Sequence, residues 1–142
     1  MSVTFKVKVD LVNDKVQFRG ISESNPNRPV QFDYVPPVGD GDGFAGLELL
    51  LLSLAGCTGT AVAHFVRRMG KTVGSLTVNA KGVRRDSPPI RFETIDLEFL
   101  IGSPDLSEEE AKRVLALAEE SGPVWGMIRG NAEVRANIRL NG

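Results

Sequence analysis

The chemistry that this sequence offers centres on one thiol, that of Cys57, the only cysteine in 142 residues. A cysteine thiolate is a strong nucleophile and is oxidised by peroxides. Gly56 and Thr58 flank Cys57, so small neighbours leave its sulfur accessible from at least one side. Free cysteines are also among the most buried residues and often pack as small apolar groups. The residues alone therefore leave two interpretations open, a reactive thiol and a packing residue.

Two other titratable side chains accompany Cys57 on the same predicted helix. His64, the only histidine, follows Cys57 by seven residues, which places both on nearly the same face, about 10 Å apart along the axis. That separation is too long for a hydrogen bond within one helix, so His64 either belongs to the helix end or approaches the cysteine of a second chain. Glu48 precedes Cys57 by nine residues and points to the opposite face. It is expected to cap the helix start or to meet a partner subunit.

The composition argues against several classes of partner. Seventeen basic and eighteen acidic residues give a net charge of −1 without a block of like charge, so neither nucleic acid nor an anionic membrane is predicted as a partner. One cysteine and one histidine do not supply a zinc site without several carboxylates, so no metal or other cofactor is expected. A lone cysteine cannot form an internal disulfide, which fits the cytoplasm. The segment from Met1 to Lys6 lacks the apolar core of a signal peptide.

Period-two alternation predicts a three-stranded antiparallel meander in the first third of the chain. Asn13 and Asp14 supply the first turn, and a loop from Ser22 to Asn27 precedes the third strand. The strands are marked by apolar side chains at Val3, Phe5, Val7, Val9 and Leu11, then at Val16 and Phe18, then at Val30, Phe32 and Tyr34.

A long apolar helix is predicted from about Leu47 to Met69, after a loop rich in proline and glycine. Leucines surround its first turns, so we expect the helix to be buried on most sides. The apolar stretch from Phe44 to Ala63 is long enough to span a bilayer. It contains Glu48 and many small residues, which favours a buried helix of a soluble protein.

The remaining patterns complete an α+β domain that covers residues 1–142. Two further strands lie around Val78 and Phe99, with Gly82 as a candidate bulge. A capping box from Ser107 to Glu110 opens a second helix, a short helical piece follows at 124–128, and a sixth strand covers 132–140. We expect antiparallel sheets wrapped around the long central helix. Small residues spaced four apart on that helix, such as Gly56 and Thr60, favour a two-fold dimer in which two such helices meet.

Two segments resemble the OsmC/Ohr family of osmotically inducible and organic-hydroperoxide-resistance proteins. The segment from Leu47 to Thr58, LELLLLSLAGCT, is similar to the central-helix signature of that family. The segment from Gly122 to Ile128, GPVWGMI, resembles the family's Cys-Pro-Val segment at the start of a late helix. The order of strands and helices matches over nearly the whole chain, so the resemblance implies an OsmC-like fold.

The resemblance implies a domain-swapped homodimer with its active sites at the subunit interface. In the peroxidase members, the first cysteine attacks the hydroperoxide and becomes a sulfenic acid. A second cysteine then closes a disulfide, which an external dithiol reduces. Cys57 matches the attacking position, whereas the resolving position falls on Gly122, which has no sulfur. A peroxidase built on this chain would need an outside thiol, or Cys57 of another chain, to resolve the intermediate.

The resemblance also implies an activating arginine from the first sheet, steered by a glutamate. Arg19 lies at roughly the right place, although a solvated strand charge is an equally good interpretation, and Arg28 is a weaker substitute. The family's glutamate stands one position before Glu48, where this chain has Leu47. We expect the pocket to be lined by apolar side chains, those of Phe44, Leu50 and Trp125, with Trp125 as a wall or interface residue.

Two functions from different classes follow. The first is a one-cysteine thiol peroxidase that reduces organic hydroperoxides with an external thiol, with Cys57 as the nucleophile and Arg19 as the activator. The alternative is a non-catalytic dimer that binds an apolar small molecule in the same pocket. Retention of Cys57 favours the enzyme, and the missing sulfur at Gly122 favours the binding protein. A purely structural dimer would require Cys57 to be inert.

Overall fold

A computed structural model describes residues Ser2 to Gly142, and Met1 lies outside the described residues. The chain forms two compact units, Met1–Leu50 and Leu51–Gly142. The assignment of residues 1–142 to one domain stays a prediction. Along the chain the elements are β1 (Val7–Leu11), β2 (Phe18–Ser22), β3 (Asn25–Phe32), α1 (Gly46–Arg68), β4 (Ser75–Arg84), β5 (Phe92–Gly102), α2 (Glu108–Ser121), α3 (Pro123–Ile128) and β6 (Glu133–Leu140).

The first unit contains the predicted antiparallel meander, in the order β1-β2-β3. Val9, Gly20 and Val30 stand opposite one another and share one face of this sheet, whereas Asp10 and Arg19 pair on the other face. β3 begins at Asn25, within the segment from Ser22 to Asn27 that the sequence predicts to be a loop. It is an edge strand, the position in a sheet where prolines are tolerated.

A closed loop connects the meander to α1 and is organised by one buried carboxylate. Asp33 is 5% exposed and accepts hydrogen bonds from the backbone amides of Tyr34 at 2.7 Å, Asp40 at 3.3 Å and Asp42 at 3.0 Å. The amide of Asp33 donates to the carbonyl of Phe44 at 3.1 Å, which closes the loop. These hydrogen bonds lower the pKa of Asp33 below its ordinary value of 3.8, and the one from the amide of Asp42 has the largest effect.

We expect Asp33→Asn to destabilise the protein at neutral pH, because an amide cannot accept three backbone hydrogen bonds as a carboxylate does. A lowered pKa in the folded state means that this stabilisation is complete above pH 3.8 and is lost as the pH falls through the folded-state value. The urea midpoint of the variant, followed by circular dichroism, should therefore be lower than that of wild type at pH 7. The difference between the two midpoints should shrink towards pH 3. Asp42→Asn, in the same loop, is the control and should behave as wild type. A pH-independent difference would contradict the role of the carboxylate.

α1 matches the predicted helix to within one residue at each end, and one of its faces is buried in the single chain. Gly59 lies against Val78 of β4, where an added Cβ would stand 3.1 Å from the valine side chain. The predicted burial on most sides is not reached in one chain, because Leu52 is 53% exposed. The buried positions repeat at helical spacing and are Leu54, Thr58, Gly59, Val62 and Val66.

The second unit contains a mixed sheet in the order β4-β5-β6. β4 and β5 are antiparallel as expected, but β5 and β6 are parallel, which differs from the all-antiparallel expectation. The reason is that α2 and α3 lie between these two strands and form a crossover connection. The central strand β5 supplies much of the core, with Ile95, Leu97, Phe99 and Ile101 all at most 2% exposed.

Two sequence signals in this unit have different outcomes. The capping box is confirmed: the Ser107 hydroxyl accepts from the amide of Glu110, whose carboxylate accepts from the amide of Ser107. Gly82 is not the bulge, since the register shift falls one residue later, between Val83 and Arg84. A Cβ on Gly82 would stand 2.5 Å from the ring of Phe92, so this glycine accommodates a close approach of that ring.

Candidate functional site

Cys57 lies in the middle of α1, at the border between its buried and exposed faces. It is a free thiol of intermediate exposure. Leu54 and Thr58 on one side are buried, whereas Gly56 and Thr60 on the other are exposed. Cys57 is therefore a partly exposed residue in the single chain, which is compatible with a reactive thiol.

The two hydroxyl groups beside Cys57 are committed to the helix backbone. Thr58 donates to the carbonyl of Leu54 at 2.6 Å, and Thr60 donates to the carbonyl of Gly56 at 2.8 Å. Since each hydroxyl proton is used in this way, neither threonine donates to a thiolate at position 57 in this conformation. Any side chain that stabilises a thiolate at Cys57 would have to be one other than these two threonines.

His64 is exposed on the same face of α1 as Cys57, two turns further along. Its ring centroid lies 5.6 Å from that of Phe65, with the two planes tilted by 58°. The approach of His64 to the cysteine of a second chain stays a prediction.

Glu48 lies in the first turn of α1 and makes a local hydrogen bond. Its Oε1 accepts from the backbone amide of Ala45 at 2.9 Å, three residues earlier. This is the geometry of a glutamate that closes the start of a helix, and its negative charge also suits the positive end of the helix dipole.

The two arginines of the first unit lie on different faces of its sheet. Arg19 alternates with Gly20 and therefore occupies the face opposite to Val9 and Val30. Arg28 lies two residues before Val30, on the same face as that valine. It borders an open apolar groove of about 290 Å³ that also includes Leu49 at the start of α1. Arg28 thus joins an apolar groove and Arg19 does not. The activation of Cys57 by Arg19 stays a prediction.

The groove adds residues that sequence reasoning did not assign to a site. It is lined mainly by Val7, Val9, Gly20, Val30, Phe32 and Leu49. The period-two alternation already placed Val7 and Val9, and likewise Val30 and Phe32, on a common face of their strands. The sequence contained no signal that Leu49 would close one side of this face.

The residues expected to line a pocket together are divided between the two units. Phe44 and Leu50 belong to the first unit and are 44% and 37% exposed. Trp125 belongs to the second unit and is 3% exposed, so it packs in the core and leaves little surface for a partner to contact. A pocket formed by these three residues stays a prediction.

Gly122 is buried at the junction of α2 and α3. Its amide donates to the carbonyl of Ala118 at 2.9 Å. A Cβ added at Gly122 would stand 2.8 Å from that same carbonyl oxygen, closer than real Cβ contacts allow. The position that resembles a resolving cysteine therefore lacks a sulfur, and a side chain there would require the end of α2 to shift. No cluster of three or more metal-ligating side chains occurs within residues 2–142.

Comparison with solved structures identifies the fold. The OsmC-like protein of Mycoplasma pneumoniae is 23% identical, with a TM-score of 0.85 over 99% of both chains. An organic hydroperoxide resistance protein from Elizabethkingia anophelis is 20% identical, with a TM-score of 0.74 over 99% of both chains. An organic hydroperoxide resistance protein OsmC from Legionella pneumophila is 17% identical, with a TM-score of 0.72 over 96% of both chains. The chain therefore has the OsmC fold.

The family follows from the sequence itself. The model of the family described as OsmC-like protein matches residues 39–137, more than half of the chain. This chain belongs to the OsmC-like protein family, which confirms the resemblance of its two segments. No curated protein matches the sequence. By length and composition α1 could cross a membrane. Members of this family are soluble proteins, however, and α1 is the core helix of the OsmC fold in this chain.

Proposed function

We propose that this protein is a one-cysteine thiol peroxidase that reduces organic hydroperoxides at Cys57 with an external thiol. The observation that supports this most directly is the partly accessible free thiol in the middle of α1. Structural relatives named as organic hydroperoxide resistance proteins support the substrate class. The closed backbone at Gly122 supports the one-cysteine form of the reaction.

The proposed reaction has three steps. The thiolate of Cys57 attacks the outer peroxide oxygen, the O–O bond breaks, and the alcohol leaves after taking up a proton, so that the cysteine becomes a sulfenic acid. An external thiol then attacks the sulfenic sulfur, forming a mixed disulfide and releasing water. A second external thiol attacks the mixed disulfide, which regenerates Cys57 and releases the oxidised disulfide.

We also propose a homodimer in the cytoplasm as the working form. In the single chain, large apolar side chains lie open to solvent in both units. Among them are Val7 at 77%, Leu52 at 53% and Met127 at 80% exposure. Apolar surface of this kind is typical of a face that a partner covers. A second copy of the chain is the partner that the family resemblance implies.

The proposal is tested by trapping the sulfenic acid. The reduced protein is exposed briefly to stoichiometric cumene hydroperoxide in the presence of dimedone, and the peptides are read by mass spectrometry. Dimedone reacts with sulfenic acid and ignores sulfoxides of the three methionines. We expect rapid labelling of Cys57, faster than with hydrogen peroxide. A thiol that stays free and unlabelled would reject the enzyme.

The apolar groove of the first unit favours a second candidate function, the binding of an apolar small molecule without catalysis. The groove holds about 290 Å³ and is lined mostly by aliphatic and aromatic side chains, which is near the lower end of the size range of small-molecule sites. A binding protein would show an unreactive Cys57 together with thermal stabilisation by an apolar ligand. Val30→Asp, in the groove, should abolish that stabilisation, whereas Cys57→Ser should leave it unchanged.

A further inference from the structure

Arg85 and Arg91 lie opposite each other at the end of the β4–β5 hairpin, and neither has a carboxylate partner among residues 2–142. The amide of Arg85 donates to the carbonyl of Arg91 at 3.0 Å, one step beyond the pairing of Arg84 with Phe92. Residues that pair in this way project their side chains from the same face of the hairpin. Like charges directly opposite each other destabilise a sheet unless something neutralises them.

The three arginines within the strands of this sheet each have a carboxylate partner, unlike Arg85 and Arg91. Arg84 pairs with Asp86 at 3.4 Å, Arg135 pairs with Asp96 at 2.8 Å, and Arg139 pairs with Glu98 at 3.0 Å. Within residues 2–142, no carboxylate lies within ion-pair distance of Arg85 or Arg91. Neither guanidinium group therefore has an ion-pair partner within the described part of the chain.

The guanidinium of Arg85 is also incompletely hydrogen-bonded. One Nη donates to the hydroxyl of Ser87 at 3.2 Å. Its Nε is enclosed by protein and has no hydrogen-bond partner among residues 2–142. An enclosed donor without an acceptor is costly. Binding through Arg85 requires its side chain to turn so that Nε and one Nη together face two oxygens of one oxyanion.

An open depression of about 440 Å³ lies beside these arginines. Arg85 and Arg91 border one part of it, and the turn at residues 130–132 borders another. Glu93 and Glu133 also belong to the rim. Their negative charges repel an anion, so they would weaken its binding.

We propose that this depression, formed by Arg85, Arg91 and residues 130–132, binds the oxyanion group of a small molecule, either a phosphate or a carboxylate. Both groups present two oxygens to a guanidinium in the same plane. The site lies at the end of a hairpin and uses neither Cys57 nor the first unit. It is therefore independent of the proposed peroxidase reaction.

The test is a titration of the full-length protein followed by ¹H–¹⁵N NMR, with inorganic phosphate, acetate and sodium chloride at matched ionic strength. We expect saturable shifts of the amides at residues 130–132 and of the Nε–H signal of Arg85 with phosphate or acetate. Whichever of the two ions binds more tightly identifies the class of ligand. Shifts no larger than those caused by sodium chloride would overturn the proposal.

Variants localise the effect. Arg85→Gln and Arg91→Gln should each weaken binding at least about tenfold, the loss expected for one charge-assisted bidentate contact. Arg84→Gln removes the same charge from the same hairpin and is the matched control, with a change of less than about twofold expected from long-range electrostatics. Glu133→Gln should strengthen binding. If Arg84→Gln costs as much as Arg85→Gln, the binding is only general charge attraction and the proposed site is rejected.

Discussion

We expect Cys57→Ser to reduce the rate of cumene hydroperoxide consumption by at least about a thousandfold, as the loss of an enzymatic nucleophile does. A serine hydroxyl is almost entirely protonated at neutral pH, and it cannot cycle through a sulfenic acid. The measurement is the disappearance of hydroperoxide under excess dithiothreitol. The rate with the variant is compared with that of wild type and of buffer alone.

Two controls separate a chemical effect from a structural one. Cys57 is only partly buried, so its replacement by serine should change the free energy of unfolding by less than about 1 kcal/mol. Thr60→Ala alters the same exposed side of α1 and removes a hydroxyl whose one hydrogen bond among residues 2–142 is to the carbonyl of Gly56. It should keep wild-type activity. Equal rates for wild type and Cys57→Ser would mean that the thiol has no catalytic role.

Most elements of this fold could be predicted because their signals are local. The alternation in the strands, the apolar run of α1 and the capping box at Ser107 each depend on residues close in sequence. The parallel pairing of β5 with β6 was also predictable in principle. A helix lies between these two strands, and a crossover of that length brings the second strand back parallel to the first.

The extent of burial of α1 could not be derived from its sequence. A helix that is apolar on every side must be covered, but the pattern does not say by what. In the single chain, the buried residues follow one stripe from Leu54 to Val66. Leu52 lies on another side of α1 and is 53% exposed. The predicted burial of that side would require contact with a second copy of the chain.

The candidate site shows the same division between local and distant information. The sequence located Cys57 and the missing sulfur at Gly122, since both are matters of residue type. The ranking of Arg19 above Arg28 rests on the family resemblance and stays a prediction, because strand alternation does not reveal which face of a sheet meets the next element. The groove that includes Leu49 lies on the face of Arg28. The close position of the Ala118 carbonyl beside Gly122 depends on how α2 ends, which residue types alone do not specify.

We expect Gly122→Ala and Gly122→Cys each to lower the free energy of unfolding by about 1–3 kcal/mol, the usual cost of inserting atoms into a packed site. The new Cβ would stand 2.8 Å from the carbonyl oxygen of Ala118 and 3.6 Å from the Cβ of Trp125. The oxygen belongs to the backbone of α2, so relief requires a shift of the helix end. Urea unfolding followed by the fluorescence of Trp125, the only tryptophan, measures this cost.

Gly126→Ala is the matched control, because Gly126 lies in the same short helix and an added Cβ there meets no atom within 4 Å. Alanine in a helix is favoured over glycine, so this variant should be as stable as wild type or more stable, by up to about 1 kcal/mol. If Gly122→Ala is equally harmless, the end of α2 shifts easily, and the backbone at this position is no obstacle to a second cysteine. A clear loss of stability would mean that this backbone is adapted to glycine, so that restoring a second cysteine requires additional changes around Ala118.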